Sequence, residues 1–365
     1  MVIKNKLLQV ALISLLVRAA VFVLPVLFWQ LLGRQDILIQ NIADLWNRWD
    51  APHFLYIAEN GYTNVGDPAN FIVFPPLFPL TVKLLTLITR NYVWSAIILA
   101  NIFFVAGAVV FYHLVAKIWH KDVAQKALFL LLIFPTSYFF SAPYTESLFF
   151  FLSITSFYLA YKKLWLWAGI LAGLSFLTRH PGIFLLPALW IYWYHSDKKI
   201  KNLLFITVPF LLCVSMYLFI NWKVYGHPFM FRYILENHWQ KRFALPWISL
   251  QSSWRVALGK MDEYAIQVGW WEAIPATLGF LGIPIVVKFL KKPHWNIWYI
   301  LTILFITSTS FLLSTSRYLV SVIPLFVFLG IISHKSKIIY YILSFVFAGL
   351  LTYFSMRFVS GMWAF

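Results

Sequence analysis

From Leu7 onward the chain alternates long apolar runs with short polar breaks, and the runs approach or reach the ~20 residues that an α-helix needs to cross a bilayer. The pattern predicts spans at 7–32, 93–116, 127–142, 144–161, 164–179, 182–195, 203–222, 273–290, 296–313, 319–333 and 338–356. Several are short, which points to broken or re-entrant helices in places. The first run is too long for a signal-peptide core and lacks a small-x-small cleavage site, so it reads as a retained span. Two excursions interrupt the runs, at 33–92 and 223–272, and are expected to be external loops that cap the bundle. In the first, Pro75, Pro76 and Pro79 break any long helix, and Thr81–Thr89 reads as a short interfacial helix. The fold class expected is therefore all-α and polytopic, about 11 transmembrane helices in a single domain, 1–365.

Composition supports the same picture. Of 365 residues, 62% are hydrophobic and 11% charged, with a mean hydropathy of +0.79. Soluble domains carry about 25% charged residues, so an aqueous surface all round is excluded. A net charge of +17 would suggest nucleic acid in a soluble protein. Here loop lysines and anionic headgroups account for it, and no nucleic-acid partner is expected. The single cysteine, Cys213, lies in an apolar run and excludes an intrachain disulfide or a cysteine-based metal cluster. The nine histidines show no metalloprotease-like spacing, and no phosphate-binding G-x-x-x-x-G-K-[ST] loop is present.

Lysines set the topology. Lys4/Lys6, Lys117/Lys121/Lys126, Lys162/Lys163, Lys198/Lys199/Lys201, Lys288/Lys291/Lys292 and Lys335/Lys337 form six clusters that the positive-inside rule assigns to the cytoplasmic face. Ten of the twelve acidic residues then fall on or near the outer face, as do the arginines other than Arg18. Lysine suffices for topology, whereas the planar arginine fork suits phosphate and carboxylate. The outer face is accordingly expected to be the working face. Arg18, inside the first span, either pairs with an acid in the bundle or lines the site.

Five stretches on that face can carry chemistry. "RWDAPHFLYIAENGY", Arg48–Tyr62, holds Asp50, which can be a general base, a partner of Arg48 or a helix cap. "SAPYTESLF", Ser141–Phe149, places Glu146 at membrane depth, where an acid faces a cavity or a cation, or favours a helix N-terminus. "LTRHPG" (Leu177–Gly182) and "STSRYL" (Ser314–Leu319) bring Arg179, His180 and Arg317 to outer helix ends, where they can hold a lipid-linked phosphate or snorkel. "YGHPFMF" (Tyr225–Phe231) carries His227, suited to a sugar or to an interfacial belt.

In their order these motifs resemble the PIG-V family, polyprenyl-phosphate-sugar-dependent mannosyltransferases of the GT-C superfamily. The resemblance is carried by "RWDAPHFLYIAENGY" with "FPPLFPL" close behind it, then "SAPYTESLF", "GLSFLTRHPG" and "SRYLVSVIPLF", between about residues 46 and 328. It implies a GT-C-like bundle and an enzyme that moves mannose from a polyprenyl- or dolichyl-phosphate donor to a glycolipid or glycan acceptor. Asp50 matches the acidic residue of the first external loop, the family's presumed base. Arg179 and Arg317 match arginines after the middle helices and in the late "RY" element, and with His180 would hold the donor phosphate. Trp49, His53, Tyr62, Tyr144, Glu146 and His227 would wall the cleft, with Trp239, Trp270 and Trp271 nearby. Glu59 takes a supporting role.

One base and one leaving phosphate imply a single displacement with inversion, hence an α-linked product from a β-linked donor. No cofactor is implied, and a divalent metal stays open because Asp50 and Glu146 could meet in space. The membrane would be the plasma membrane of a prokaryote or the endoplasmic reticulum of a eukaryote, with the site on the extracytoplasmic or lumenal face. A lipid-linked glycan transporter and a non-catalytic glycolipid-binding subunit stand as alternatives.

Overall fold

The computed structural model describes residues 2–31 and 42–364; residues 32–41, the end of the first expected span and the start of the first expected external loop, lie outside this description. Among the described residues the backbone is helical with connecting turns, and pairing between extended segments is confined to one antiparallel bridge, Phe243 to Thr309. Helix α1 spans Val2–Leu31; α2 (Ile42–Trp46) and α3 (Ala51–Asn60) follow. A 3-10 turn (Asp67–Val73) leads into α4 (Leu77–Thr89), then α5 (Tyr92–Ile118), α6 (Lys121–Leu132), α7 (Glu146–Tyr161) and α8 (Trp165–Phe176). Next come α9 (Leu185–Ser196), α10 (Ile200–Tyr225), α11 (Met230–Asn237) and α12 (Pro246–Ala257). The chain closes with α13 (Trp271–Leu281), α14 (Ile283–Leu290), α15 (Pro293–Thr307), α16 (Thr315–Leu319), α17 (Ile323–Lys335) and α18 (Lys337–Val359).

Four helices, α1, α5, α10 and α18, are each long and apolar enough to cross a membrane, so the protein is a multi-pass helical membrane protein. Two bent pairs add candidate spans: the 3-10 turn with α4, angled by 112°, and the segment Ala265–Leu281 with α14, angled by 50°. The other expected crossings contain shorter helices, such as α7, α8 and α17, so the expectation of 11 full spans is only partly met. The shortening has local causes. Pro284 follows Gly282 at the α13–α14 bend, and Pro76 caps α4, which starts four residues earlier than Thr81 because Pro79 falls in its first turn, where no backbone donor is needed.

Several of the lysine clusters lie at turns between helices. Lys162 and Lys163 separate α7 from α8, Lys198 and Lys199 separate α9 from α10, and Lys291 and Lys292 separate α14 from α15. Contacts gather these ends together. Asp122 pairs with Lys126 at 2.8 Å and with His334 at 2.6 Å, Trp119 packs on Trp295 at 5.3 Å, and Lys335 lies 4.6 Å above the Phe289 ring. Tyr192 and Phe157 both face His294, at 4.4 and 6.1 Å. One end of the bundle is thus lysine-rich. Glu146 begins α7 and Lys162 follows its end, which separates them by roughly 24 Å along the axis.

The opposite end is opened by unwound backbone. The run expected as one helix at 127–142 stops at Leu132, and Ile133–Thr145 continues as turns and a 3-10 segment buried among α1, α5 and α7. Carbonyls freed this way in an apolar interior need donors, and irregular backbone is tolerated at membrane depth only where protein supplies them. Arg18 supplies them: its fully buried guanidinium donates to the carbonyls of Leu132 and Ser137 and lies 4.9 Å over the Phe104 ring. Among the described residues Arg18 therefore neither pairs with an acid nor lines the main cavity. Close packing of α8 on α10 rests on Gly169 and Gly173, spaced four apart, since a Cβ at Gly169 would meet the Ile206 backbone at 2.6 Å.

Removing the Arg18 donors should unravel the support of the unwound segment. Arg18→Met is expected to destabilise the purified protein by about 2–4 kcal/mol, since unpaired buried acceptors cost about 1–3 kcal/mol each. A thermal melt in detergent checks this, and an unchanged Tm would remove Arg18 from that role.

Candidate active site

Four segments distant in sequence converge at the end away from the lysine-rich turns. Asp50 sits at the N-terminus of α3, whose residues Phe54, Leu55, Ile57 and Ala58 bury one face and fix the helix. Its side chain does not cap that helix. Trp49 before it adopts φ 57°, a left-handed conformation uncommon for a bulky residue, which turns the chain sharply and leaves the indole on the rim against Trp363. Glu146 opens α7 directly after the unwound segment. Arg179 lies in extended backbone between α8 and a 3-10 turn, and Arg317 lies in the short α16.

Charge joins them. Fully buried Glu146 accepts from Arg317 Nε at 2.7 Å and pairs with Arg179, both through Oε1. Arg317 Nη1 reaches Asp50 Oδ2 at 2.5 Å, so one guanidinium bridges two carboxylates. Arg179 also donates to Thr145 Oγ1 at 3.0 Å, and Thr145 donates to Glu146 Oε2 at 3.3 Å. The Arg317 guanidinium lies over Tyr144 at 4.5 Å and Phe139 at 4.9 Å. Two cations and two anions therefore balance inside a low-dielectric region, where an unbalanced charge is expensive.

Arg317 is itself held in place from below. Ser314 takes a left-handed φ of 66°, which turns its amide and that of Thr315 onto the two oxygens of buried Glu272, at 2.7 and 2.8 Å. Thr136 of the unwound segment donates to the Ser316 carbonyl at 2.7 Å. A carboxylate at the start of a helix is favoured by its amide dipoles. Here it compensates for the first turn of α16, which has no side-chain cap of its own.

An open cavity of about 360 Å³ lies beside this network. Its walls are Trp49, Asp50, His53 and Phe54; the Val73–Pro75 corner; Thr145 with Thr178–Pro181; Leu235, Trp239 and Lys241; and Phe305, Leu313, Ser314, Arg317, Tyr318 and Trp363. His53 stacks between Phe71 and Phe74, and burial lowers its pKa against the opposing pull of Asp50 and Asp67. His180 stacks on Phe231 at 5.6 Å, and burial, with Arg179 adjoining, holds its imidazole well below the usual range. Burial thus favours the neutral form of both rings. An acid held beside a cation, neutral imidazoles and aromatic walls form a pocket suited to a polar ligand with a hydroxyl to deprotonate.

The model of the family described as Mannosyltransferase (PIG-V) matches residues 36–231. The chain belongs to that family. The GPI alpha-1,6-mannosyltransferase 2 proteins of Mus musculus and Rattus norvegicus are 34% and 33% identical to it over 131 and 135 residues. Each match covers 34% of this chain and 27% of the relative, so the chain aligns with about a quarter of the length of those proteins. No solved structure matches significantly. The matched region of this PIG-V family member includes Asp50, Glu146 and Arg179, while Arg317 lies beyond it.

Seven of the residues singled out in the sequence line the cavity: Trp49, Asp50, His53, Arg179, His180, Trp239 and Arg317. The others do not. Glu146 and Tyr144 lie beneath the lining, the first clamped by two arginines and the second donating to the Arg48 carbonyl at 2.6 Å. Tyr62 stands behind the Phe74 corner, donating to its carbonyl at 2.6 Å. His227 is exposed beyond the end of α10, where Gly226 turns the chain in a left-handed conformation, and it accepts from the Phe229 amide at 3.2 Å. Trp270 and Trp271 pack instead on Trp254 and Phe354. Glu59 is exposed on α3. Asp50 and Glu146 do meet in space, with the Arg317 guanidinium between them. Glu272, Lys241 and Tyr318 escaped the sequence reading, since Glu272 and Lys241 carry no motif and Tyr318 passed as a neighbour of Arg317.

If the network is held by charge balance, removing its centre should be worse than removing a pair. Glu146→Gln is expected to destabilise the protein by about 3–5 kcal/mol, the scale for a broken buried ion pair. Glu146→Gln with Arg179→Gln should recover part of that loss in a double-mutant cycle of thermal melts. Strict additivity would show that the two side chains do not interact.

Proposed function

We propose that this chain is a mannosyltransferase that takes mannose from a polyprenyl- or dolichyl-phosphate donor and passes it to a glycolipid acceptor at the lumenal or extracytoplasmic face. The observation that carries the reading is the bond from Arg317 to Asp50 on the wall of the cavity. With Oδ2 engaged, Oδ1 of Asp50 has no partner among the described residues and is left for an incoming hydroxyl. Family membership supports the sugar, and the names of the matched relatives, GPI mannosyltransferases, support a glycolipid as acceptor. The lysine-rich turns at the far end support the side, by the positive-inside rule.

In this reading the acceptor hydroxyl attacks the anomeric carbon as Asp50 takes its proton. The bond from that carbon to the phosphate oxygen breaks with its electron pair, and lipid phosphate leaves from the opposite face. The product is inverted relative to the donor. Arg317 and Arg179 hold the carboxylates in register through Glu146. Trp49, His53 and Trp239 offer ring faces and edges to the sugar, and the lipid tail enters between helices from the outer leaflet. The grouping of polar side chains at one end of the bundle supports transfer over transport, which would place them near the midplane.

Asp50→Asn in purified protein given radiolabelled polyprenyl-phosphate mannose should lower turnover by about 10²–10⁴-fold, the contribution of a general base, with donor affinity retained and a smaller fall in Tm than Glu146→Gln causes. Near wild-type turnover would remove Asp50 as the base. Arg317→Lys should also lose activity, because an ammonium does not span two carboxylates as the planar fork does.

A further inference from the structure

Among the charged residues lining the cavity, three are cations: Arg179, Arg317 and Lys241. The arginines are engaged by Glu146 and Asp50, and the four charges sum to zero. Lys241 differs. Among the described residues its contacts are the Leu313 carbonyl at 3.4 Å and the ring faces of Phe311 and Tyr318 at 5.4 and 5.9 Å. Glu272 feels its field, but both oxygens of that carboxylate already accept from the amides of Ser314 and Thr315. A neutral carbonyl at long range and two aromatic faces position an ammonium without neutralising it.

The backbone around Lys241 is built to hold it there. Gln240 has a left-handed φ of 54°, and the next residues run antiparallel to the segment before α16. Ser310 donates its amide to the Arg242 carbonyl at 2.9 Å and its hydroxyl to the Gln240 carbonyl at 3.2 Å, while Phe243 bridges Thr309. This strap ties the external loop to the segment that leads into Arg317. It sets Lys241 on one side of the Tyr318 ring, whose other cationic neighbour is Arg179 at 5.4 Å.

We infer that Lys241 is the residue that receives the phosphate of the lipid-linked donor, which deepens the reading above and rests on it. The donor is a phosphodiester with one negative charge. When the bond from the anomeric carbon to the phosphate oxygen breaks, its electron pair stays on that oxygen and the leaving lipid phosphate carries two, while the acceptor's proton goes to Asp50. A cation not already matched by an acid gains most from that added charge, because the interaction strengthens as the bond breaks. Arg179 and Arg317 then act as positioning residues for the carboxylates, and Lys241 as the catalytic contact to the leaving group.

The test compares wild type with Lys241→Gln and Lys241→Arg, each purified as the full chain in lipid nanodiscs. Polyprenyl-phosphate mannose is the substrate, and polyprenyl phosphate and polyprenol are competing inhibitors. Lys241→Gln is expected to lower kcat by about 100-fold, the scale for losing one donor to a developing oxyanion. It should weaken inhibition by polyprenyl phosphate about tenfold and leave that by polyprenol, which lacks the phosphate, unchanged. Lys241→Arg should keep most of both. If Lys241→Gln still distinguishes phosphate from polyprenol as wild type does, the assignment is overturned while the transferase reading stands. If wild type neither transfers mannose nor binds polyprenyl phosphate, the reading and the assignment fall together. Loss of polyprenol inhibition in Lys241→Gln as well, with Lys241→Arg no better, would show a structural role and also overturn the assignment.

Discussion

One buried carboxylate organises this protein. Glu146 lies fully inside the bundle and holds two guanidinium groups through a single oxygen, and one of those groups reaches on to Asp50. Four stretches separated by as much as 267 positions are thereby locked into one geometry. Each member is costly alone at this depth, and together they are neutral, so the site forms as a unit or not at all. The catalytic reading follows from this balance. A carboxylate fixed by a cation on one oxygen presents the other in a defined direction, which is what proton abstraction from a positioned hydroxyl requires.

The same network explains why the helices beneath it are short. Glu146 opens α7, Arg179 follows α8 and Arg317 lies in the five-residue α16, each next to backbone whose amides and carbonyls are not matched within a helix. Each such stretch has its own partner from elsewhere: Arg18 for the carbonyls of Leu132 and Ser137, Glu272 for the amides of Ser314 and Thr315, Thr136 for the Ser316 carbonyl. Irregular backbone inside a membrane protein survives under that condition alone. The site is therefore built from broken helices, and the breaks are held by charged residues that never face the cavity.

Two layers of polar residues result. The inner layer, Glu146 with Arg179 and Arg317, holds geometry and becomes neutral with Asp50, which closes it toward the cavity. His53, His180 and Lys241 line the cavity around it, and among the described residues Lys241 forms no ion pair. Aromatic rings back the cations: Tyr144 and Phe139 lie against Arg317, and Tyr318 lies near both Arg179 and Lys241. Rings accept cations on their faces without quenching them, which lets charge be positioned close to a ligand and remain available to it.

Much of this was written in the chain. The apolar runs specified helices in a membrane, because no other use of so much uninterrupted hydrophobic sequence satisfies the backbone. The lysine clusters marked the turns now gathered at one end, and local composition picked out Asp50, Arg179 and Arg317, since charges amid apolar residues stand out. What they bind did not follow from composition. Arg179 and Arg317 read as phosphate ligands, and only the fold shows Glu146 set between them, just as only the fold sets Arg18 against unwound carbonyls. Glu272 and Lys241 carried no signal, one lost among ordinary helix residues and the other among loop lysines. The sequence by itself determined which charges the membrane would have to accommodate. Only the tertiary structure decided which of them cancel, because ion pairing depends on distances of a few ångströms between residues hundreds of positions apart.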